Sequence, residues 1–360
     1  MYKIKKLPLQ FELETKEVLK KTTLASRALA ELKSISKTIP NESILISTLT
    51  LQEAKDSSAV ENIITTHDEL FKVQTFDNLF VSSAAKEVQN YVQALKEGFE
   101  MVRKTGLLRV NDIIAIQETL EHNKAGFRRQ AATTLKNANT GEVIYTPPQE
   151  YDTIMELMEN LVRFINDNEL SDLDPLVKMA IIHFQFETIH PFYDGNGRTG
   201  RIINILYLIL QDLLEIPTLY LSRFIIQNKQ AYYQGLQAVR DNTENTKDWI
   251  NWILFILTGV EQIAKETTVL IQDIKALMQN YKNSIRGTYS FYSQDLLNNL
   301  FKYPYTKIEF IEKDLSVSRP TASSYLNRLA KDGLLEKIKV GKTNYYINKP
   351  LYNLLVNKTI

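Results

Sequence analysis

Cysteine is absent from all 360 positions, which excludes disulfides, thiol nucleophiles and thiolate-bound metals and suits a reducing compartment. Neither sign of charge is in excess, since 43 Lys and Arg stand against 42 Asp and Glu. The molecule as a whole therefore has no strong field to steer nucleic acid or anionic lipid, and any such binding has to be local. Long apolar runs are missing as well. The longest are Ile202 to Ile209, interrupted by Asn204, and Ile253 to Leu257, far short of the roughly 18 residues that suggest a membrane span. Met1 to Gln10 is basic and lacks the continuous apolar stretch of a secretion signal. There is no internal repeat and no low-complexity tract. These absences lead to the expectation of a cytoplasmic protein without a membrane partner.

What is present reads as a globular chain longer than one typical domain, with 44% hydrophobic and 24% charged residues. Glu12 to Met101 reads as helices. Val88, Tyr91, Val92, Leu95, Phe99 and Val102 recur at three- and four-residue steps and form an amphipathic stripe. Thr105-Gly106 breaks the pattern, and a further helix is expected from Val110 to about Asn123 with Asn111 as its cap. Turn residues Asn139-Thr140-Gly141 sit between Arg129 to Lys136 and Glu142 to Thr146, and Pro147-Pro148 stops the second arm, which predicts a hairpin-like flap. Pro175 opens an apolar helix through Phe186, and Arg201 to Leu214 reads as a second, both central to a bundle. Helix is expected again from Lys247 to about Tyr281, followed by Arg286-Gly287-Thr288 as a linker. Beyond it, Ile308 to Asp314 and Arg319 to Asp332 around a Ser316-Val317-Ser318 turn suggest helix-turn-helix. Leu334 to Lys339 and Asn344 to Asn348 suggest a two-stranded wing. The expected organisation is an N-terminal helical region over 1–105, a central body over 106–285 and a winged helix over 286–360.

Between the two apolar helices lies His190-Pro191-Phe192-Tyr193-Asp194-Gly195-Asn196-Gly197-Arg198-Thr199-Gly200-Arg201. A polar loop there is costly unless it has a task, because its backbone groups need partners. Glycines flanking Asn196 let the backbone turn tightly and approach a ligand, and the following helix presents free N–H groups and a positive dipole end. That is an anion cradle. Arg198 and Arg201, three apart, can fork onto phosphate oxygens, and Asp194 can give an oxygen to Mg²⁺. His190, with a pKa near neutrality, is suited to take a proton from an attacking hydroxyl. A plain helix-helix turn has no need of His, Asp and two Arg together. His183, Glu187 and His190 lack the order of a zinc-protease site, and His183 on an apolar helix reads as a hydrogen-bonded core residue.

The run meets every specified position of the Fic family signature, His-x-Phe-x-Asp/Glu-Gly-Asn-Gly-Arg-x-x-Arg. The resemblance extends from about Ser57 to about Tyr281, and the C-terminal winged helix is similar to that of the longer bacterial members. It implies a mainly α fold: a Fic-type helical bundle with a small β-hairpin flap, plus a C-terminal winged helix-turn-helix. By that resemblance His190 is the general base and Asp194 the Mg²⁺ ligand. Gly195, Asn196 and Gly197 cradle the α- and β-phosphates, followed by Thr199 and Gly200, while Arg198 and Arg201 hold the β- and γ-phosphates. Tyr232 resembles an adenine-side contact, against the ordinary burial of a helical tyrosine. The implied activity is transfer of AMP from Mg-ATP to a Tyr, Thr or Ser hydroxyl of a protein, this chain included. Related Doc-like kinases carry a lysine where Gly197 stands, which favours AMP transfer over γ-phosphate transfer; phosphocholine- and UMP-transferring members keep a similar loop.

Three further features bear on that reading. Ser57-Ser58-Ala59-Val60-Glu61-Asn62 fits the family's inhibitory pattern Ser/Thr-x-x-x-Glu-Gly/Asn, which implies that Glu61 pairs with Arg201 in place of the γ-phosphate. Val143, Ile144, Tyr145 and Thr146 lie where the family's flap pairs with its target as an added strand. Between Lys302 and Lys349 ten basic residues face five acidic ones, a local charge of +5. Ser318, Arg319, Thr321, Ser323 and Ser324 fall where a recognition helix reads base edges, and Lys337, Lys339 and Lys342 on the wing can hold phosphates, so duplex DNA is a candidate partner. Winged helices also dimerise and dock proteins, so a second copy of the chain is another. The alternatives to AMP transfer are a nucleotide-sensing DNA-binding regulator and removal of AMP from modified protein by the same site.

Overall fold

The computed structural model describes residues 4–76, 81–131, 133–136 and 141–357. Its N-terminal part is four helices, α1 (Lys16–Ser36), α2 (Glu42–Val60), α3 (His67–Thr75) and α4 (Ser83–Thr105). Helix α4 forms as its stripe predicts. Ser82 caps its start by accepting from Ala85 N at 3.1 Å, Gly106 ends it at φ 66°, and Val88, Tyr91, Leu95, Phe99 and Val102 are buried. Helix α5 (Val110–Glu121) follows, but Asn111 does not cap it. The helix starts one residue earlier, and the Asp112 carboxylate reaches back to accept from Arg109 N at 2.8 Å.

The expected flap is a short antiparallel pair, β1 (Leu135–Lys136) and β2 (Val143–Tyr145), in which Leu135 faces Tyr145 and Lys136 faces Val143. The turn residues Asn139 and Thr140 lie outside the described residues. Helix α6 (Tyr151–Asn166) leads to α7 (Pro175–Ile189), where Pro175 holds the first turn and Asp174 Oδ1 accepts from Leu176 N at 2.8 Å. Every residue of α7 from Leu176 to Ile189 is buried. Its partner α8 (Asn196–Leu210) begins five residues ahead of the expected Arg201, so Gly197, Arg198, Thr199 and Gly200 belong to its first turns. The reason is geometric: Gly195 at φ 76° caps the helix, and Thr199 N donates to Gly195 O at 2.9 Å.

Helices α9 (Leu221–Gln227) and α10 (Lys229–Asp241) precede α11 (Thr246–Thr288), which packs along α1 and also against α7, α9 and α10. Arg286-Gly287-Thr288 is the last turn of α11, not a linker. The C-terminal module comprises α12 (Gln294–Lys302), β3 (Tyr305–Lys307), α13 (Ile308–Leu315), α14 (Arg319–Lys331), β4 (Glu336–Val340), β5 (Thr343–Ile347) and α15 (Lys349–Asn357). Its antiparallel sheet runs β3-β5-β4, a winged helix-turn-helix with α14 in the recognition position.

The module is seated on α2 and α3. Gln52 Nε2 donates to Leu355 O at 3.0 Å, Thr75 Oγ1 donates to Tyr305 O at 3.0 Å, and Phe76 stacks on Tyr345 with centroids 3.7 Å apart. No helix among the described residues is long and apolar enough to cross a membrane.

Candidate active site

His190 closes α7 in the left-handed region, at φ 50° and ψ 58°. One fully buried side chain sets it there. Arg128 Nε donates to His190 O at 2.8 Å and its Nη2 to Pro148 O, while Arg128 N donates to Pro191 O at 2.9 Å. Burial, with Arg240 and Arg128 close by, holds the His190 imidazole down at about 4 against the opposing pull of the Glu187 backbone and Asp194. That corrects the near-neutral pKa expected from the sequence: at neutral pH the ring is uncharged and free to accept a proton, but burial makes it a weaker base than a free imidazole.

The turn after it is drawn tight by Asn196, whose Oδ1 accepts from Phe192 N at 2.8 Å and whose Nδ2 donates to Phe192 O at 2.9 Å. Asn196 thus shapes the cradle through its side chain. No side chain caps α8, and its ladder opens at Thr199 N, so the N–H groups of Asn196, Gly197 and Arg198 lack intrahelical acceptors. An anion is the natural complement of that helix end.

Both arginines are buried and held by acids. Arg201 donates through Nη2 to Glu61 Oε1 at 2.9 Å and to Ser57 O at 2.9 Å, and through Nε to Ser57 Oγ at 2.8 Å. Arg198 donates through Nη2 to Glu121 Oε1 at 2.8 Å and through Nη1 to Glu87 Oε2 at 3.1 Å. The sequence pattern led to the expectation of Glu61 as a partner of Arg201, while the two bonds from Arg201 to Ser57 were not foreseen. It gave no sign of Glu87, Glu121 or Arg128, because carboxylates on separate helices and an arginine in an irregular segment leave no periodic trace.

Asp194 is exposed, and its Oδ1 accepts from Gly195 N at 2.7 Å. No cluster of three or more His, Asp or Glu side chains forms among the described residues, so the His183, Glu187 and His190 spacing builds no zinc site. One exposed carboxylate beside an uncapped helix end does fit magnesium, which can complete its shell with substrate oxygens and water.

Other expected residues are placed as follows. Tyr232 is only 1% exposed, with its hydroxyl 2.9 Å from His183 Nε2 and its ring tilted against Trp252, so it belongs to the core and has no open face for a base. His183 is the buried hydrogen-bonded histidine expected of it. The next residue, Tyr233, is 44% exposed. On the flap, Val143 and Ile144 are exposed, Thr146 is half-buried, and Tyr145 is buried with its hydroxyl donating to Thr188 O at 2.9 Å. On α14, Arg319 is turned onto Glu309 and Glu312, and Arg328 lies over Tyr289 and Phe291.

Three comparisons bear on this geometry. Residues 19–100 match the Fic/DOC family N-terminal model, residues 107–208 the Fic/DOC family model, and residues 277–351 the C-terminal domain of SoFic-like protein adenylyltransferases. Protein adenylyltransferase fic-1 of Caenorhabditis elegans is 32% identical over 136 residues, 37% of this chain and 25% of that protein. Protein adenylyltransferase Fic of Drosophila erecta is 30% identical over 114 residues, 30% of this chain and 23% of that protein. The chain thus spans about a quarter of the length of these relatives. Among solved structures, a Fic family protein from Desulfovibrio desulfuricans G20 superposes with a TM-score of 0.59 at 21% identity, over 92% of this chain and 96% of that one. Fic-1 from C. elegans superposes with a TM-score of 0.52 at 16% identity, over 73% and 75%. With its N-terminal, central and C-terminal parts each matched to a model of that kind, the chain belongs to the Fic/DOC family.

Proposed function

We propose that the chain transfers AMP from Mg-ATP to a Tyr, Thr or Ser hydroxyl of a protein, itself included, under restraint by Glu61. The observation that carries this reading is His190: a neutral imidazole at the end of α7, directly ahead of the uncapped N-terminus of α8. The target hydroxyl gives its proton to His190 as its oxygen bonds to the α-phosphorus. The bond from that phosphorus to the bridging oxygen breaks, and pyrophosphate leaves with the electron pair. The N–H groups at the head of α8 and the two arginines stabilise the charge that develops on the phosphates. Asp194 would hold magnesium, which would supply neutralisation of phosphate charge when bound.

Glu61 opposes this. Its carboxylate occupies Arg201, so a triphosphate can enter only without its γ-phosphate engaged there, which turns the α-phosphorus away from the attacking hydroxyl. The exposed edge of β2 is the docking strand, where main-chain pairing presents the target hydroxyl to His190 whatever the neighbouring side chains. Names of relatives containing adenylyltransferase support the reaction class.

The deciding experiment is mass spectrometry of the protein incubated with Mg-ATP. One added AMP unit on a Tyr, Thr or Ser, absent in His190→Ala, is expected. An unmodified protein in the brake-released Glu61→Gly form, or labelling that survives His190→Ala, overturns the reading.

A further inference from the structure

Two carboxylates stand against the two cradle glycines in the same way. A Cβ on Gly197 would meet Glu61 Oε1 at 2.3 Å, and a Cβ on Gly195 would meet Glu121 Oε1 at 2.3 Å. Each carboxylate also binds one arginine of α8, Glu61 to Arg201 and Glu121 to Arg198. Their supports differ, however. The side chain of Glu61 follows the last residue of α2 and is 35% exposed, with a single cationic partner among the described residues. That of Glu121 is 13% exposed and projects from α5 one turn beyond Gln117, whose Nε2 donates to Asp194 O at 3.1 Å. Arg198 is further fixed by Glu87 from α4. Glu61 can therefore be displaced, whereas Glu121 is built into the floor of the loop.

Residues four apart share one face of a helix, so α5 touches both halves of the cradle at once. Gln117 holds the main chain of Asp194, and Glu121 holds the guanidinium of Arg198 while closing the space behind Gly195. We propose that Glu121, together with Gln117, is a positioning residue that fixes Arg198 relative to Asp194, so that the phosphate-binding cation and the metal-binding carboxylate act on one nucleotide together. This inference rests on the nucleotide-binding reading above. Its signature is coupling: cutting the bracket weakens the gain in ATP affinity that magnesium confers, because the two groups no longer share one geometry. A Glu121 that merely filled space would lower affinity equally with and without the metal.

The test uses the full chain carrying Glu61→Gly and measures ATP binding by calorimetry, once with Mg²⁺ and once with EDTA, alongside thermal unfolding. Adding Glu121→Ala or Gln117→Ala is expected to reduce the magnesium-dependent gain by about tenfold or more, the usual range for residues that orient a metal ligand. Glu121→Gln keeps an oxygen that accepts from Arg198 and is expected to retain most of it. If Glu121→Ala does not fold, Gln117→Ala carries the test alone. Alanine variants that keep the full magnesium gain, or that weaken ATP alike in both conditions, overturn the proposal. If the Glu61→Gly parent itself binds no ATP, the nucleotide reading has failed and this proposal falls with it.

Discussion

Glu61 Oε1 lies 2.9 Å from Arg201 Nη2, and the same arginine is gripped from the other side by Ser57 through both its hydroxyl and its carbonyl oxygen. Ser57 is fully buried, while Glu61 sits at the open end of α2. The next residue, Asn62, takes φ 63°, a left-handed position that Asn and Gly tolerate best, and its Oδ1 accepts from Lys229 Nζ at 3.0 Å. Under the proposed restraint, Ser57 holds Arg201 in place and Glu61 is the contact that a nucleotide would displace.

Replacing Glu61 by Gly should therefore free Arg201 without disordering it. Nucleotide misplaced by about 1 Å can lose on the order of 10²-fold in rate, so labelling with radioactive ATP is expected to rise by up to about that factor in Glu61→Gly. ATP affinity should rise with it, whereas ADP, which has no γ-phosphate for Arg201, should gain less. Equal gains for both nucleotides would remove the γ-phosphate from the account of the brake.

Stability should depend on pH through five buried groups. Burial holds His67 and His190 at about 4 and His183 at about 3, so the unfolded chain binds protons that the folded one does not, and stability rises as pH climbs from about 4 to 6.5. Glu53 and Glu187 are pushed up to about 7, again by burial. For them the folded state binds the proton more tightly, so stability is lost as pH rises from about 4.5 through 7. The opposed slopes place the maximum near about pH 6.5, and each shift of two units or more is worth roughly 3 kcal/mol. Thermal unfolding between pH 5 and 8 measures this, and a midpoint that climbs steadily across the whole range contradicts the assignment of the two glutamates. Because His190 stays neutral over the same range, labelling by the brake-released form should show no inflection near 6.5.

A chemically dense stretch is legible in sequence when its parts are adjacent. The loop from His190 to Arg201 needed only local rules, since glycine, proline and charge spacing mark the turn within a dozen positions, although the helix after it starts at Asn196 and not at the expected Arg201. Ser57 and Glu61 were legible as a pattern, with Arg201 as the expected partner of Glu61 alone. Glu121 and Glu87 were not, because what brings them to Arg198 is the packing of α4 and α5 on α8. Gly287 misled in the opposite direction. A glycine costs a helix about 1 kcal/mol, which signals a break, yet α11 runs on past Tyr281 with Ile285 buried and takes Gly287 into its last turn, one residue before it ends. Tyr232 looked like a ligand contact only by its place in the chain, and its hydrogen bond to His183 put it in the core.

The flap can be tested apart from the nucleotide. Strand β2 pairs with β1 along one edge, and no other described strand covers the second edge. Val143 and Ile144 are 49% and 46% exposed there. Ile144→Pro removes one backbone donor from β2 and should abolish or strongly reduce labelling of a protein target while leaving ATP affinity within about twofold. Target labelling at the parental rate would exclude strand addition as the docking mode.

The C-terminal module should be inseparable from the body. Residues Met278, Tyr281 and Ile285 near the end of α11 are buried, Tyr281 packs edge-on to Phe301, and its hydroxyl donates to Leu334 O at 2.7 Å. Removing the chain after Thr288 takes away the partners of Tyr281 and Gln52 and the cover that α12 gives α2 and that α12 and α15 give α11. A fully buried Leu, Ile or Met is worth roughly 1.5–3 kcal/mol of transfer free energy, so losing cover over several of them removes much of a typical stability of about 5–15 kcal/mol. The truncated chain is expected to melt well below the intact protein or to aggregate. Since α2 also ends in Ser57 and Glu61, whatever survives should label itself faster per folded molecule than the intact chain, as the loosened helix releases Arg201. A truncation that melts at the parental temperature and labels at the parental rate would mean that the module adds nothing to the hold of α2 on the site.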